Sequence, residues 1–271
     1  MSTVKERKKK NLEAKQAVRR NKVEEKKGFR YLMTVAYDGS GYGGYAKQMH
    51  GKTIQNVLES ALKTYFKTAI KTTEASRTDS AVHALCQKVM FDSNQQLAVK
   101  KVLTQLNELL PKEIMITDLV SVDLDFHCRY DVVDKTYEYV IMGQMDVRRH
   151  RYAWHVEGAL DVKKMREAGE ILVGKHDFST FKSAKATTDT SVRTVHFLEI
   201  LEEKDDIIIR INADGFLYNM VRLMVKALVD VGTGNKEVAD IDQLLKAKQK
   251  PANFESAPAQ GLTLVEINYG K

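Results

Sequence analysis

Three side chains capable of chemistry lie close together in the stretch EASRTDSAVHAL, residues 74–85: Arg77, Asp79 and His83. Three roles are open to Asp79. It could cap a turn, it could bind a metal together with His83, or it could be a nucleophile that a nearby cation keeps ionised. The metal hypothesis is the weakest of the three, because no third ligand is evident nearby in the sequence.

A second cation, Arg222, lies inside a strongly apolar segment at 215–231. An unpaired guanidinium in such a place would carry a large desolvation cost, so we expect Arg222 to have a carboxylate partner. The nucleophile hypothesis for Asp79 needs a cation of this kind, and Arg77 is the other candidate because it is only two residues away.

Tyr137 and Tyr139 alternate along a predicted strand, so their side chains face the same side of a sheet. Packing in the core is the ordinary role of such tyrosines. At a cleft, a tyrosine ring can instead stack on a nucleobase that has left an RNA helix. We predict structural roles for His127, His176 and Asp177, since GKHDF after a helix is typical of a turn followed by a cap.

Composition indicates an ordinary globular protein of one or two domains, with 271 residues of which 43% are hydrophobic. The sequence contains no apolar run of the 18 or so residues that a membrane helix needs and no apolar secretory signal at its N-terminus. We therefore expect a cytoplasmic protein. Cys86 and Cys128 match no metal-binding spacing, and both are predicted to be small buried residues.

The formal charge of +7 lies entirely in residues 1–28, which carry 11 Lys or Arg and four Glu. Residues 29–271 carry 32 basic and 32 acidic side chains. The basic arm, residues 1–28, has few large apolar residues, so we expect it to be disordered or a solvated helix. It is either simply solvated or an arm that attracts nucleic acid.

Hydrophobic periodicity predicts the same order of elements, β-α-β-β-α-β, twice along the chain. The predicted elements of the first half are at 31–37, 54–66, 69–75, 86–92, 102–110 and 114–122. Those of the second half are at 135–142, 161–173, 192–202, 206–214, 215–231, 237–248 and 262–269. The sequence thus predicts an α+β fold of two tandem ferredoxin-like subdomains, 29–128 and 129–271, as two sheets side by side with a central cleft.

Seven segments, in this order, resemble the TruA-type tRNA pseudouridine synthase family. The signature around the family's catalytic aspartate is similar to SRTDSAVHA at 76–84. The other six segments are YDGSGYGGYAKQ at 37–48, TIQNVLESAL at 53–62, FHCRYDVVDKTYEYVI at 126–141, GKHDFSTF at 174–181, GFLYNMVRLMV at 215–225 and APAQGLTLVEINY at 257–269.

The resemblance implies a pseudouridine synthase fold and an isomerase that needs neither a cofactor nor a metal. The enzyme would convert uridine to pseudouridine in the anticodon stem-loop of tRNA, at positions 38 to 40. It would act as a homodimer and would not associate with a membrane. Two alternatives stay open: an RNA-binding module on the same fold that has lost its chemistry, and the same isomerase acting on another RNA site.

The resemblance also implies roles for single residues. Asp79 would be the nucleophile that helps detach uracil from its sugar, and Arg222 would pair with Asp79. Arg77 would support the entry of the flipped nucleotide, Tyr137 would stack on the base, and Leu262 would supply an apolar wall.

The chain departs from the family pattern at five positions. The family signature begins with Gly and has Ala-Gly after the aspartate, where this chain has Ser76, Ser80 and Ala81. This chain also has Tyr45 and Ala46 where the family usually has another aromatic residue followed by Gln. If the replaced Gly needs a positive φ, Ala81 is strained.

The charge count generates a prediction for the basic arm. Deleting residues 1–28 should weaken tRNA binding at low salt and flatten its salt dependence, by about 0.7 to 0.9 in the slope of log affinity against log salt for each phosphate that the arm neutralises. The maximal rate should stay that of the full chain. Affinity and rate across a salt series measure both effects, and identical slopes would show that the arm is only a solvated appendage.

Overall fold

A computed structural model describes residues 28–183 and 190–270. The predictions for the basic arm therefore lie, apart from Gly28, outside the described residues. None of the helices in the described ranges is long and apolar enough to span a membrane.

The first half of the described chain is a ferredoxin-like unit. Its strands lie in the order β4-β1-β3-β2, with β1 paired antiparallel to both β3 and β4. Its elements are β1 (Phe29–Tyr37), α1 (Ile54–Phe66), β2 (Thr72–Glu74), β3 (His83–Ser93), α2 (Val99–Leu109) and β4 (Ile114–Val122).

The second half repeats this arrangement, with strand order β10-β5-β9-β8 and β7 added at the edge. Its elements are β5 (Val132–Met142), β6 (Trp154–His155), α3 (Val162–Leu172), β7 (Gly174–Asp177), β8 (Val192–Glu203), β9 (Asp206–Ala213), α4 (Met220–Gly232), α5 (Val238–Ala247) and β10 (Leu262–Tyr269).

Strand β10 joins the two units. It pairs antiparallel with β5 and, over Thr263 and Leu264, parallel with the start of β3. The predicted α+β fold of two ferredoxin-like units is confirmed, but the strands form one continuous ten-stranded sheet and not two separate sheets. A physical reason is that β2 covers only residues 89–91 of β3, so the start of that strand is free to pair with β10.

Local sequence explains why α1 matches its prediction. Thr53 is extended, and its hydroxyl accepts a hydrogen bond from the backbone N–H of Asn56, which caps the first turn. Lys67 ends the helix in the left-handed conformation. The helix buries one face, formed by Ile54, Leu58, Ala61 and Leu62, against the sheet.

Three predictions of local structure were wrong. Helix α4 begins at Met220 and not at 215, because Asn219 takes a left-handed φ of 64° and separates the helix from an apolar loop. The GKHD stretch is strand β7, paired with β8, although Asp177 does accept hydrogen bonds from Ser179 as a turn residue would. Cys128 is buried as predicted, whereas Cys86, on β3, is only half-buried.

The β2–β3 loop, residues 75–82, packs tightly on the glycine-rich loop at 38–45. Tyr45 N–H donates to the carbonyl oxygen of Thr78, and Ser80 Oγ donates to that of Tyr42. Gly44 has a φ of 100°, and a Cβ there would lie 2.9 Å from Thr78 O and 3.1 Å from the carbonyl carbon of Asp79. The close approach of the two loops therefore requires glycine at 44.

Gly44→Ala should consequently lower the free energy of unfolding by about 2–4 kcal/mol, since it adds backbone strain and a clash with the neighbouring loop. Gly51→Ala is the matched control, because Gly51 also has a positive φ, 94°, but no heavy atom within 4 Å of the added Cβ. Gly51→Ala should lower the free energy of unfolding by only about 1–2 kcal/mol. Equal losses in denaturant titrations would show that the loops can separate without cost.

Candidate active site

One cavity of about 740 Å³ lies between the two units. All five predicted site residues line it, although they come from four separate parts of the chain. The β2–β3 loop contributes Arg77 and Asp79, β5 contributes Tyr137, α4 contributes Arg222 and the start of β10 contributes Leu262.

The carboxylate of Asp79 and the guanidinium of Arg222 face each other, with 3.6 Å between Oδ2 and Nη1. Both side chains are largely buried, with exposed fractions of 21% and 17%. Burial raises the pKa of the Asp79 carboxyl above its usual value, while the charge of the nearby Arg222 guanidinium acts in the opposite direction. Arg222 thus favours the ionised form of a carboxyl that burial alone would push towards neutrality.

Two further contacts hold the Arg222 side chain in place. Its Nε donates to the carbonyl oxygen of Ala257 at 2.7 Å, and Nη1 donates to Oδ1 of Asn219 at 3.2 Å. The backbone N–H of Ala257 donates in return to the carbonyl oxygen of Arg222. The guanidinium therefore reaches Asp79 from a fixed position in the first turn of α4.

The two tyrosines of β5 have different surroundings. The Tyr137 hydroxyl lies 2.9 Å from Ser76 Oγ, and its ring, which lines the cavity, meets that of Phe216 edge to face at 5.1 Å. Burial raises the pKa of Tyr137 to about 12. Tyr139 is fully buried, and its hydroxyl donates to the carbonyl oxygen of Pro258. Tyr139 is therefore a core residue, whereas part of the Tyr137 side chain lines the cavity.

The guanidinium of Arg77 reaches solvent, with 68% of its side chain exposed. Its Nε donates to Glu74 Oε1 at 2.9 Å, and the same buried carboxylate accepts from Arg129. One carboxylate thus anchors two guanidinium groups beside the cavity.

His83 links three segments of the chain. Its Nδ1 accepts from the backbone N–H of Gly39 at 3.1 Å, and Nε2 lies 2.9 Å from the carbonyl oxygen of Arg151 and 3.1 Å from that of Gln260. Within residues 28–183 and 190–270, no group of three or more His, Cys, Asp or Glu side chains is placed to hold a metal ion.

The departures in the signature loop have visible consequences. Ala81 has a φ of 63°, so the strain foreseen from the sequence is present. Ser76 is held on both sides of its backbone by the fully buried Gln87, whose Oε1 accepts from Ser76 N and whose Nε2 donates to Ser76 O at 2.7 Å.

Sequence reasoning missed Gln87 and also Lys135, which lines the cavity. Lys135 lies two residues before Tyr137 on β5, so the alternation of the strand could have placed both on one face. No comparable signal exists for Gln87, because its partner is a backbone group 11 residues away.

The chain matches one known protein family over most of its described length. The family described as tRNA pseudouridine synthase matches residues 33–131 and 168–270. The two ferredoxin-like units and the cavity between them are accordingly those of the pseudouridine synthase fold. A more distant similarity links the chain to a crystal structure of a Cbf5-Nop10-Gar1 complex, with 13% identity and a TM-score of 0.36 over 73% of this chain and 45% of that chain.

Two relatives are similar over nearly their whole length. The chain is 40% identical over 242 residues to tRNA pseudouridine synthase A of Exiguobacterium sp. (strain ATCC BAA-1283 / AT1b), covering 89% of this chain and 98% of the relative. It is 41% identical over 244 residues to the protein of that name from Bacillus licheniformis, covering 89% and 99%. The chain belongs to the tRNA pseudouridine synthase family, whose members are isomerases.

Proposed function

We propose that this protein converts uridine to pseudouridine in the anticodon stem-loop of tRNA, at positions 38 to 40, with Asp79 as the nucleophile. The observation that carries the proposal is the Asp79 carboxylate, held 3.6 Å from the Arg222 guanidinium in a cavity that the Tyr137 ring also lines. A largely dry carboxylate with a fixed cation beside it is the arrangement that a carboxylate nucleophile needs.

The isomerisation exchanges one bond of the sugar for another. The bond from C1′ to N1 of uracil breaks, a bond from C1′ to C5 forms, C5 loses a proton and N1 gains one. Substrate and product contain the same atoms and the same number of electrons, so the reaction itself requires no redox partner or second substrate. The step that needs help is the departure of uracil, and we assign that help to the Asp79 carboxylate.

The other four residues receive roles from their positions around Asp79. Arg222 keeps the nucleophile ionised. Tyr137 offers a ring face to the base, with its hydroxyl fixed by Ser76. Leu262 is an apolar wall at the start of β10. Arg77 is the most exposed of the set and supports the entry of the flipped nucleotide.

The proposal extends to the organisation of the protein. Residues 29–128 and 129–271 act as two subdomains, and the reaction takes place in the cavity between them without a metal or other cofactor. The active form is a cytoplasmic homodimer that binds tRNA. Light scattering of the purified protein measures the oligomeric state, and full activity in excess chelator tests the independence from metal.

Asp79→Asn should abolish pseudouridine formation and leave tRNA affinity within a few fold, because the amide has nearly the same shape but is a poor nucleophile. Pseudouridine mapping in tRNA incubated with each purified protein gives the product and its position. Asp242→Asn is the control, since it removes a carboxylate from an ion pair on the surface of α5.

Substantial product from Asp79→Asn would remove Asp79 from its assigned role. Inactivity of the unaltered protein, with tight tRNA binding, would favour the RNA-binding module, for which the strained Ala81 in the signature loop is the specific observation. Product at a uridine outside positions 38 to 40 would favour the same chemistry on another RNA site.

A further inference from the structure

One wall of the cavity holds more positive charge than its carboxylates balance. Arg77, Arg129 and Lys135 all line it. The carboxylate that contacts this group is the buried Glu74, which already accepts from both guanidinium groups. Three cations therefore share one anion, and a buried cation without a counter-charge is costly.

Lys135 is the cation that pairs with no carboxylate among the residues that the structure describes. Its Nζ donates to the carbonyl oxygen of Ala75 at 2.8 Å, which is its one hydrogen bond to the described residues. An ammonium has three N–H donors, so two remain for a ligand in the cavity. In Arg129, Nε donates to the backbone carbonyl oxygen of Glu74 and Nη2 donates to its carboxylate. The Arg129 side chain keeps an exposed fraction of 32%.

The position of Lys135 relative to Tyr137 suggests what that ligand is. The two residues are separated by one residue on β5, so their side chains leave the same face of the strand roughly 7 Å apart. A nucleotide whose base lies on the Tyr137 ring has its backbone phosphates one sugar away from that base. A cation about 7 Å along the strand from that ring is within reach of such a phosphate.

We propose that Lys135 and Arg129 bind a phosphate of the RNA backbone beside the nucleotide that occupies the cavity. This inference rests on the proposed function, because it requires an RNA substrate. The phosphate supplies the missing negative charge and accepts the free N–H donors of both side chains. It thereby fixes the depth at which the target nucleotide enters.

The titration of Lys135 offers an independent readout. Burial and the nearby guanidinium group of Arg129 lower the pKa of Lys135 to about 8, with Arg193 adding to the effect and Cys128 and Glu74 opposing it. A bound phosphate favours the ammonium form. RNA affinity should therefore fall as the pH rises through about 8, and this fall should be absent in Lys135→Arg, which keeps its charge.

The test is tRNA binding, measured separately from turnover, for Lys135→Gln, Lys135→Arg and the matched control Lys63→Gln, which removes an exposed lysine from the end of α1. Lys135→Gln should bind about tenfold more weakly at low salt, with a salt slope smaller by about 0.7 to 0.9. Lys135→Arg and Lys63→Gln should keep the slope of the unaltered protein.

A chemical substitution in the RNA identifies the contact. One methylphosphonate linkage, which is neutral, replaces the phosphate on either side of the target uridine in separate tRNAs. One of the two should weaken binding to the unaltered protein about tenfold and weaken binding to Lys135→Gln by clearly less, because Arg129 alone then contacts the phosphate. If neither linkage weakens binding to the unaltered protein, the phosphate site is wrong, whether or not Lys135→Gln folds.

The outcomes also separate this inference from the proposed function. If the unaltered protein and Lys63→Gln fail to bind and convert tRNA, the proposed function fails. If tRNA is bound and converted while Lys135→Gln keeps the salt slope and the pH dependence of the unaltered protein, only the phosphate site is overturned.

Discussion

The electrostatic contact between Asp79 and Arg222 is the interaction on which the rest of the site depends. Burial works against an ionised carboxyl, and the guanidinium works for it. At 3.6 Å the gross attraction is on the order of 4 kcal/mol for an effective dielectric constant of about 20. This attraction offsets part of the desolvation of the carboxyl, whose pKa nevertheless stays above its usual value.

The fold maintains this contact across the boundary between two units. Asp79 belongs to a loop of the first unit, and Arg222 belongs to a helix of the second. Gln87 and Gly44 fix the loop, through buried hydrogen bonds in one case and a close backbone approach in the other. Because β10 pairs with strands of both units, the two halves cannot move apart without breaking the sheet.

A large part of the fold could be predicted from the sequence where local rules decide the outcome. The bounds of α1, β4 and β10 agree with their predictions because periodicity, caps and turn residues act over a few positions. The predicted start of α4 was wrong because residues 216–218 are as apolar as the helix itself, and only the left-handed Asn219 separates them from it. The short strand β7 could not be predicted, since its pairing with β8 is a tertiary contact.

In the site, too, local sequence predicts some features, and tertiary contacts decide the others. The resemblance to one family grouped residues 77, 79, 137, 222 and 262, and the structure places all five around one cavity. Their roles stay a prediction. The pairing of Arg222 with Asp79 was implied only by the resemblance, because 143 positions separate the two residues in the chain and no local pattern connects them. The sequence could not show that Lys135 pairs with no carboxylate of the described residues, since the shared Glu74 comes from β2 and is already occupied by Arg77 and Arg129.

The most direct test of the role of Arg222 is the pKa of the Asp79 carboxyl, measured by carbon NMR titration in the unaltered protein and in Arg222→Gln, with the resonance assigned through Asp79→Asn. We expect a pKa above the usual aspartate range in the unaltered protein and a further rise when the guanidinium is removed, since burial then acts without an opposing charge. A pKa that stays the same or falls in Arg222→Gln would contradict the claim that Arg222 keeps the nucleophile ionised.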